Sequence, residues 1–440
     1  MNKPSGVTQA GQQPEAGSGS GAIQRTAVIG SGVAGLTAAY ILSRSHHVTL
    51  YEADDRLGGH AHTHDLTDPD GRTHRVDSGF IVHNRRTYPH LLRLFSELGI
   101  ATQESEMSMS VRCDGCRLEY AGARGLRGLL AQPRNTLRGP YLRMLTEVPR
   151  FHRAARRLLA TGADDTLKLG AFLDRAGFSP YFRAHFMIPV VSAVWSCDAE
   201  TALEYPAAYL FRFLHHHGML SVRRSTVWRT VTGGSGTYVD RIAADLHEVR
   251  VGVSVRSLLR YSNGVDVTAD DGTIASYNHV VVATHPDQAL QLLTDANPEE
   301  KEVLGAFRYS RNATLLHTDT SLLPRASGAR ASWNYLMPDC RAGADRVRVS
   351  YDMNRLQRLD ASQTHVVTLG GQDRVDPARV LASMTYEHPV YTPESVAAQR
   401  RLPGLNTSVT AFAGAYHGWG FHEDGCRSGV EAAAALGVRW

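Results

Sequence analysis

An α/β fold is predicted for this 440-residue chain, with a parallel sheet drawn from separated segments and an α+β domain built from the insertions between them. Three observations predict it. Residues 26–52 read as strand, glycine turn, helix and strand; short apolar strands recur much later, at His279 to Val282 and Val409 to Gly414; and the two long intervening stretches follow helical and then β-rich patterns.

The first unit is the most specific. Ala27 to Ile29 suits a buried parallel strand, and Gly30, Ser31, Gly32, Val33, Ala34 and Gly35 supply G-x-G-x-x-G where that strand must turn. Gly30 permits the turn, Gly32 lets backbone approach a pyrophosphate, and Gly35 lets the next helix pack closely on the strand. That helix, expected over Leu36 to Ser43, aims free N–H groups and its positive dipole end at the phosphate. Val48 to Tyr51 forms the second strand. Glu52 ends it, twenty residues past Gly32, where a carboxylate accepts both ribose hydroxyls and repels a 2′-phosphate. The unit therefore binds NAD or FAD.

Downstream, Thr87 to Leu98, Leu137 to Leu159 and Leu167 to Ala176 carry apolar residues at helical spacing, whereas Thr314 to His317, Val347 to Tyr351 and His365 to Leu369 are β-rich runs fitting an antiparallel floor. Cys113-Asp114-Gly115-Cys116 could be half a metal site or a redox pair. It is also a hairpin turn between Met109 to Arg112 and Leu118 to Tyr120, and no second pair or histidine follows at zinc spacing, so no metal is expected. Five cysteines in all do not suggest a disulfide framework. Residues 1–24 read as a disordered tail with no leader character, no apolar run is long enough to cross a bilayer, and the cytoplasm follows by default. Net charge is +4, but nine arginines face one acid, Glu147, between Gly122 and Arg157. That stretch is either a solvated face or a landing surface for anionic lipid, acyl carrier protein or coenzyme A. Nothing accompanies it that would read nucleic acid.

Arg56, Gly58 and Gly59 follow Glu52 as E-x-x-x-R-x-G-G, which resembles the flavin-containing amine oxidase and phytoene desaturase superfamily. Thr232 to Tyr238 before an amphipathic stretch at Val239 to Leu246, a strand at Val249 to Val255, another at Val265 to Val267, and Gly425 to Glu431 opening an alanine-rich helix fit the same resemblance. It implies FAD, held by a discontinuous Rossmann-like domain over 25–82, 226–295 and 405–440, with 83–225 and 296–404 forming the substrate domain. It further implies that Glu52, Ala53, Arg56, Gly58, Gly59 and His60 follow the cofactor inward, that Val255 lies on its adenine side, and that Ala283, Thr284, Gly414, Phe421, Gly425 and Ser428 complete the cradle. The acid many amine oxidases carry after Gly414 is Ala415 here, leaving Glu423 or Asp424 to replace it. More narrowly, TVTGGSGTY with AFAGAYHGWGFHEDGCRSG is similar to a bacterial group of predicted FAD/NAD-binding oxidoreductases associated with cyclopropane-fatty-acyl-phospholipid-synthase-like enzymes.

Trp195, Tyr209, Phe213, Tyr416 and Trp419 are the expected substrate pocket, with Tyr416, His417 and His422 the candidates beside the reacting carbon. Of His215, His216 and His217, at most one or two can face one pocket. His60, His62 and His64 alternate, which on extended chain puts them on one face. Only Lys3, Lys168 and Lys301 exist, none where amine oxidases place a lysine near flavin N5. The expected activity is removal of a hydride from a C–H bond of an apolar, unsaturated acyl-lipid or isoprenoid substrate, free or carrier-bound. A flavin-dependent double-bond isomerase and an amine oxidase proper are the alternatives.

Overall fold

A computed structural model describes residues 23–162, 165–221, 226–340 and 347–440; most of the expected N-terminal tail lies outside them. A five-stranded sheet organises one half, in the order Glu248–Val251, His46–Glu52, Gln24–Ile29, His279–Val282 and Thr410–Phe412. Every pairing in it is parallel. Strands from three distant stretches of chain are thus hydrogen-bonded side by side, and the buried run Val280, Val281 and Val282 lies inside the sheet between Gln24–Ile29 and Thr410–Phe412.

Two expectations are corrected here. The first helix spans Val33–Leu42, three residues earlier than expected, because extended Gly32 serves directly as its N-cap. The single strand expected over Val249 to Val255 is two. Gly252 turns left-handed (φ +71°), Gly252 and Val253 donate to the carbonyls of Asp54 and Glu52, and the chain leaves the parallel sheet. Val255–Tyr261 then opens a separate antiparallel sheet with Gly264–Ala269 and Ile274–Tyr277.

The other half rests on a seven-stranded sheet in the order Val380–Val390, Arg308–His317, Val366–Leu369, Val349–Asp352, Trp333–Met337, Met109–Cys113 and Leu118–Ala121. The expected floor is there, but it is mixed: the 109–121 hairpin docks with Met109–Cys113 parallel to Trp333–Met337. Helices Gly139–Ala160, Leu169–Arg175, Ile188–Trp195 and Ala207–His216 stack beside it around an aromatic core of Phe151, Phe172, Phe178, Phe182 and Phe211. Edge-to-face rings such as Phe172 on Phe211, centroids 4.8 Å apart, are the geometry aromatic quadrupoles favour. No described helix is long and apolar enough to cross a membrane.

Candidate active site

The glycine turn packs as its sequence demands. Gly30 adopts φ +99°, and a Cβ there would lie 2.9 Å from the Ala283 carbonyl oxygen; at Gly35 it would overlap the Gly30 carbonyl. Over Gly32 there is open space, and no side chain caps the N-terminus of helix Val33–Leu42, so its first amides remain available to an anion. Glu52 Oε2 accepts from Ser31 N–H at 2.8 Å and from Ser31 Oγ, while Oε1 accepts from Asp54 N–H at 2.9 Å. Gly58 N–H donates to Ser31 Oγ (3.0 Å), and a Cβ on Gly59 would meet Gly32 at 3.2 Å, so the second glycine pair lies against the first. Ala283 N–H donates to Ile29, which places Ala283 and Thr284 beside the turn; Val255 follows Val253, which is bonded to the Glu52 carbonyl.

The closing helix begins at His422, three residues before the expected start. Gly425 and Gly429 lie about one and two turns inside it and face helix Val33–Leu42: a Cβ on Gly425 would crowd Val33 Cγ1, and one on Gly429 would overlap the Ala34 carbonyl. Ser428 Oγ accepts from Gly414 N–H at 2.9 Å and donates to the Gly425 carbonyl, tying the last strand to this helix. Glu423 and Asp424 are not free to replace the missing acid. Glu423 takes the amides of His90 and Leu91 and His90 Nδ1, capping helix Pro89–Glu97; buried Asp424 takes the amides of Trp419 and Phe421.

The three residues expected beside the reacting carbon sit in different surroundings, with His422 near enough to His60, and Tyr416 to Tyr309, to disfavour the charged forms of His60 and Tyr309. His422 stacks on Phe80 at 3.6 Å and bonds the Tyr238 hydroxyl at 3.0 Å. Tyr416 is buried against Phe307, its hydroxyl unpartnered. His417 lines a separate cavity of about 510 Å³ with Gln399, Asn406 and Arg427. Gln399 donates to the carbonyls of Tyr416 and Gly418, tying this loop to helix Pro393–Gln399. Burial lowers both His417 and His422 to about 3, so both imidazoles are uncharged at neutral pH.

The expected pocket aromatics do converge. Trp195 donates to the Trp419 carbonyl at 3.1 Å, Tyr209 to the Gly418 carbonyl at 2.6 Å, and Phe213 stacks on Phe421 at 4.9 Å. Trp195, Tyr209 and Phe213 are buried core; Trp419 and Phe421, with His216, His217, Arg86 and Tyr88, line a cavity of about 380 Å³. His217 is held by the Phe213 carbonyl and lowered by burial to about 4, whereas His215 is exposed.

A second group of polar side chains gathers inward from Gly59. His60 is half-buried with its Nε2 inaccessible and unpartnered, its ring 5.0 Å from Tyr386 and 5.2 Å from His388. His62 Nδ1 and the Tyr386 hydroxyl are 3.1 Å apart; His64 Nε2 and the same hydroxyl both contact Ser78 Oγ. The three alternating histidines therefore share one face, directed at Tyr386. His388 Nδ1 lies 2.9 Å from the Asn312 amide nitrogen, and His285 stacks on Tyr309 at 3.9 Å. Burial lowers His60 well below its ordinary value and His388 to about 4, keeping both neutral. Arg56 adds positive charge beside them and makes no ion pair among the described residues. Sequence reasoning missed His285, Tyr309, Asn312, Tyr386 and His388. The available signal was alternation: Tyr386 and His388 are two apart on one strand and so share a face.

An uncapped helix N-terminus under open space, a carboxylate at the second strand's end and an unpartnered imidazole beyond the second glycine pair fit an extended dinucleotide whose far end is a polar ring system. That is the architecture of an FAD-dependent oxidoreductase. The chain belongs to the flavin containing amine oxidoreductase family, which matches residues 33–437, and FAD is its cofactor. Among curated relatives, "Putative flavin-containing monoamine oxidase AofH" of Mycobacterium tuberculosis (strain CDC 1551 / Oshkosh) is 29% identical over 318 residues, covering 68% of this chain and 66% of that protein, just under two thirds of its length. Among solved structures, the CLA-producing fatty acid isomerase from P. acnes superposes with a TM-score of 0.66 at 17% identity, over 92% of this chain and 97% of that one. Cyclohexylamine oxidase from Brevibacterium oxydans IH-35A does so with a TM-score of 0.66 at 17% identity, over 94% and 99%. At such identities the structural likeness establishes the fold.

Proposed function

We propose that this enzyme takes a hydride from a C–H bond of an apolar, unsaturated acyl-lipid or isoprenoid substrate. One observation carries the reading: the wall inward of Gly59 is built of neutral histidines, tyrosines and an asparagine, and no described lysine reaches it. Lys168 is bonded to Glu204 at the surface and Lys301 is exposed on helix Pro298–Gly305. Bound FAD supplies the hydride acceptor. Gly30 to Gly35 and Glu52 would hold its nucleotide end, and His60, Tyr386 and His388 would present uncharged polar atoms toward its ring system. Imidazoles held neutral in this way donate and accept hydrogen bonds without repelling a developing cation. The cavity at Trp419 and Phe421 offers an apolar wall for a long chain.

The same reading assigns lipid delivery to residues 122–157. Leu126 and Leu137 are 76% and 88% exposed there, with Leu130 and Leu142 also out in solvent among the arginines. Exposed leucines interleaved with cationic side chains match an anionic interface. Anaerobic mixing with unsaturated fatty acids, their phospholipids and an amine panel tests the function. Flavin bleaching by the lipids, with a new double bond in the product, is expected; bleaching by amines alone overturns the reading. Complete turnover under nitrogen, with the double bond moved and no acceptor consumed, identifies an isomerase instead.

A further inference from the structure

The hairpin turn at Cys113 to Cys116 lies away from the flavin residues, and it is not alone. The 109–121 hairpin pairs as expected, with Cys113 opposite Leu118. Two partners that sequence spacing did not offer then arrive from remote segments: Cys340, beyond strand Trp333–Met337, and His185, on the wide turn Arg183–Met187. The Sγ atoms of Cys113, Cys116 and Cys340 and a His185 ring nitrogen all lie within 4.8 Å of one another. Cys113 and Cys340 sulfurs are 3.7 Å apart, and Cys116 Sγ is 3.6 Å from His185 Nε2. A zinc tetrahedron has Zn–S of about 2.3 Å and Zn–N of about 2.0–2.1 Å, which gives edges of roughly 3.8 Å between sulfurs and roughly 3.6 Å from sulfur to nitrogen.

The surroundings are built to hold those four groups. His185 Nδ1 lies 3.3 Å from the Tyr181 carbonyl, and the Tyr181 ring stacks on the imidazole at 3.9 Å, so Nε2 is the nitrogen turned to Cys116. The turn Arg183–Met187 is a π-helical widening, a distortion that re-aims a side chain. Asp114 N–H donates to the Met337 carbonyl at 2.8 Å, and a Cβ on Gly115 would lie 2.9 Å from Asp339 Cα and 3.0 Å from Cys340 N, so the hairpin tip is pressed against the segment that carries Cys340. Arg138 Nη1 donates to the Cys116 carbonyl at 2.8 Å. Three thiolates and a neutral imidazole around Zn²⁺ total one negative charge, which that guanidinium offsets.

We propose that Cys113, Cys116, Cys340 and His185 bind one zinc ion as a closed Cys₃His site. Three soft thiolates and an imidazole gathered within 4.8 Å, with the Cys113–Cys340 and Cys116–His185 pairs at tetrahedral spacing, select zinc over the oxygen-seeking cations. All four positions are protein ligands, which leaves none for substrate and makes the site structural. Binding displaces three thiol protons and involves no redox change. The ion staples the sheet hairpin to the strand segment ending at Cys340 and to the helix Ile188–Trp195, whose last residue anchors the Trp419 loop. This inference does not depend on the substrate proposed above.

The test is elemental analysis of the full-length, flavin-loaded, tag-free protein purified without chelator. One zinc per chain is expected, lost in Cys340→Ser and Cys116→Ser while bound FAD remains near stoichiometric. Should those variants fail to fold, wild-type protein grown with cobalt in place of zinc should show tetrahedral thiolate–cobalt d–d bands at longer wavelengths than oxidised flavin absorbs. Three results overturn the assignment: no zinc and no cobalt bands after reduction and metal dialysis, zinc retained in both serine variants, or a Cys113–Cys340 disulfide found by mass in freshly lysed, alkylated cells.

Discussion

Glu52→Gln is the sharpest probe of the nucleotide end. The wild-type carboxylate accepts three hydrogen bonds, two from Ser31 and one from Asp54 N–H, and keeps lone pairs for a ribose. A carboxamide offers one acceptor oxygen. If that oxygen stays on fully buried Ser31, the NH₂ group faces the Asp54 N–H, donor against donor, and the side chain must rotate or the turn must shift. Hydrogen bonds to a charged group contribute about 1.5–3 kcal/mol and neutral ones about 0.5–1.5. Weakening the Ser31 pair and losing the Asp54 bond therefore costs about 2–3 kcal/mol in the organised turn, or roughly 30- to 150-fold in FAD dissociation constant. Titrating apoprotein with FAD and following quenching of flavin fluorescence measures this. A change below about threefold would show that Glu52 does not organise the site, and the reasoning from Ser31 and Asp54 would fail.

Gly429→Val forces a side chain into the Ala34 carbonyl and to within 3.0 Å of Thr37 Cβ; overpacking of this kind costs about 1–3 kcal/mol or more, so purified protein should carry little FAD, and a fully loaded variant would refute the helix contact. Tyr386→Phe removes the hydroxyl shared by His62 and Ser78 at about 1–2 kcal/mol; slower flavin reduction by substrate with FAD content intact is expected in stopped flow. His388→Ala should slow that step at least tenfold, and an unchanged rate would remove this histidine from the site. Acid should destabilise the fold: His62, His83, His217, His317, His388, His417 and His422 are all lowered to about 3 or 4, chiefly by burial, so the unfolded chain binds more protons between about pH 6.5 and 4 and stability falls as pH drops through that window. Asp77 and Asp424, raised to about 6 by burial, act with the opposite sign but are outnumbered. A thermal midpoint independent of pH from 6.5 to 4.5 would contradict this balance.

What could be read from sequence is what local spacing dictates. In a strand, turn, helix and strand unit, chain length alone carries Glu52 to Ser31, and Gly35 answers the carbonyl of Gly30 five residues before it. The late strands were legible because Val280 to Val282 is apolar on both faces, as a central parallel strand requires. Sequence failed where tertiary bonds chose among residues of equal chemistry. Glu423 was free to meet a cofactor in sequence, but the amides of His90 and Leu91 took it. His388 acquired Asn312 through a strand pairing nearly eighty residues apart and Cys340 acquired Cys113 through one more than two hundred apart, which no spacing rule encodes.

The most direct measurement is a crystal structure of the flavin-loaded chain. The account predicts one FAD, extended, with its ribose at Glu52, its pyrophosphate over Gly32 at the amides of helix Val33–Leu42, and its ring system beside His60, Tyr386 and His388. A ring lodged instead in the cavity at His417, Asn406 and Arg427, or a ribose that leaves Glu52 untouched, would contradict it.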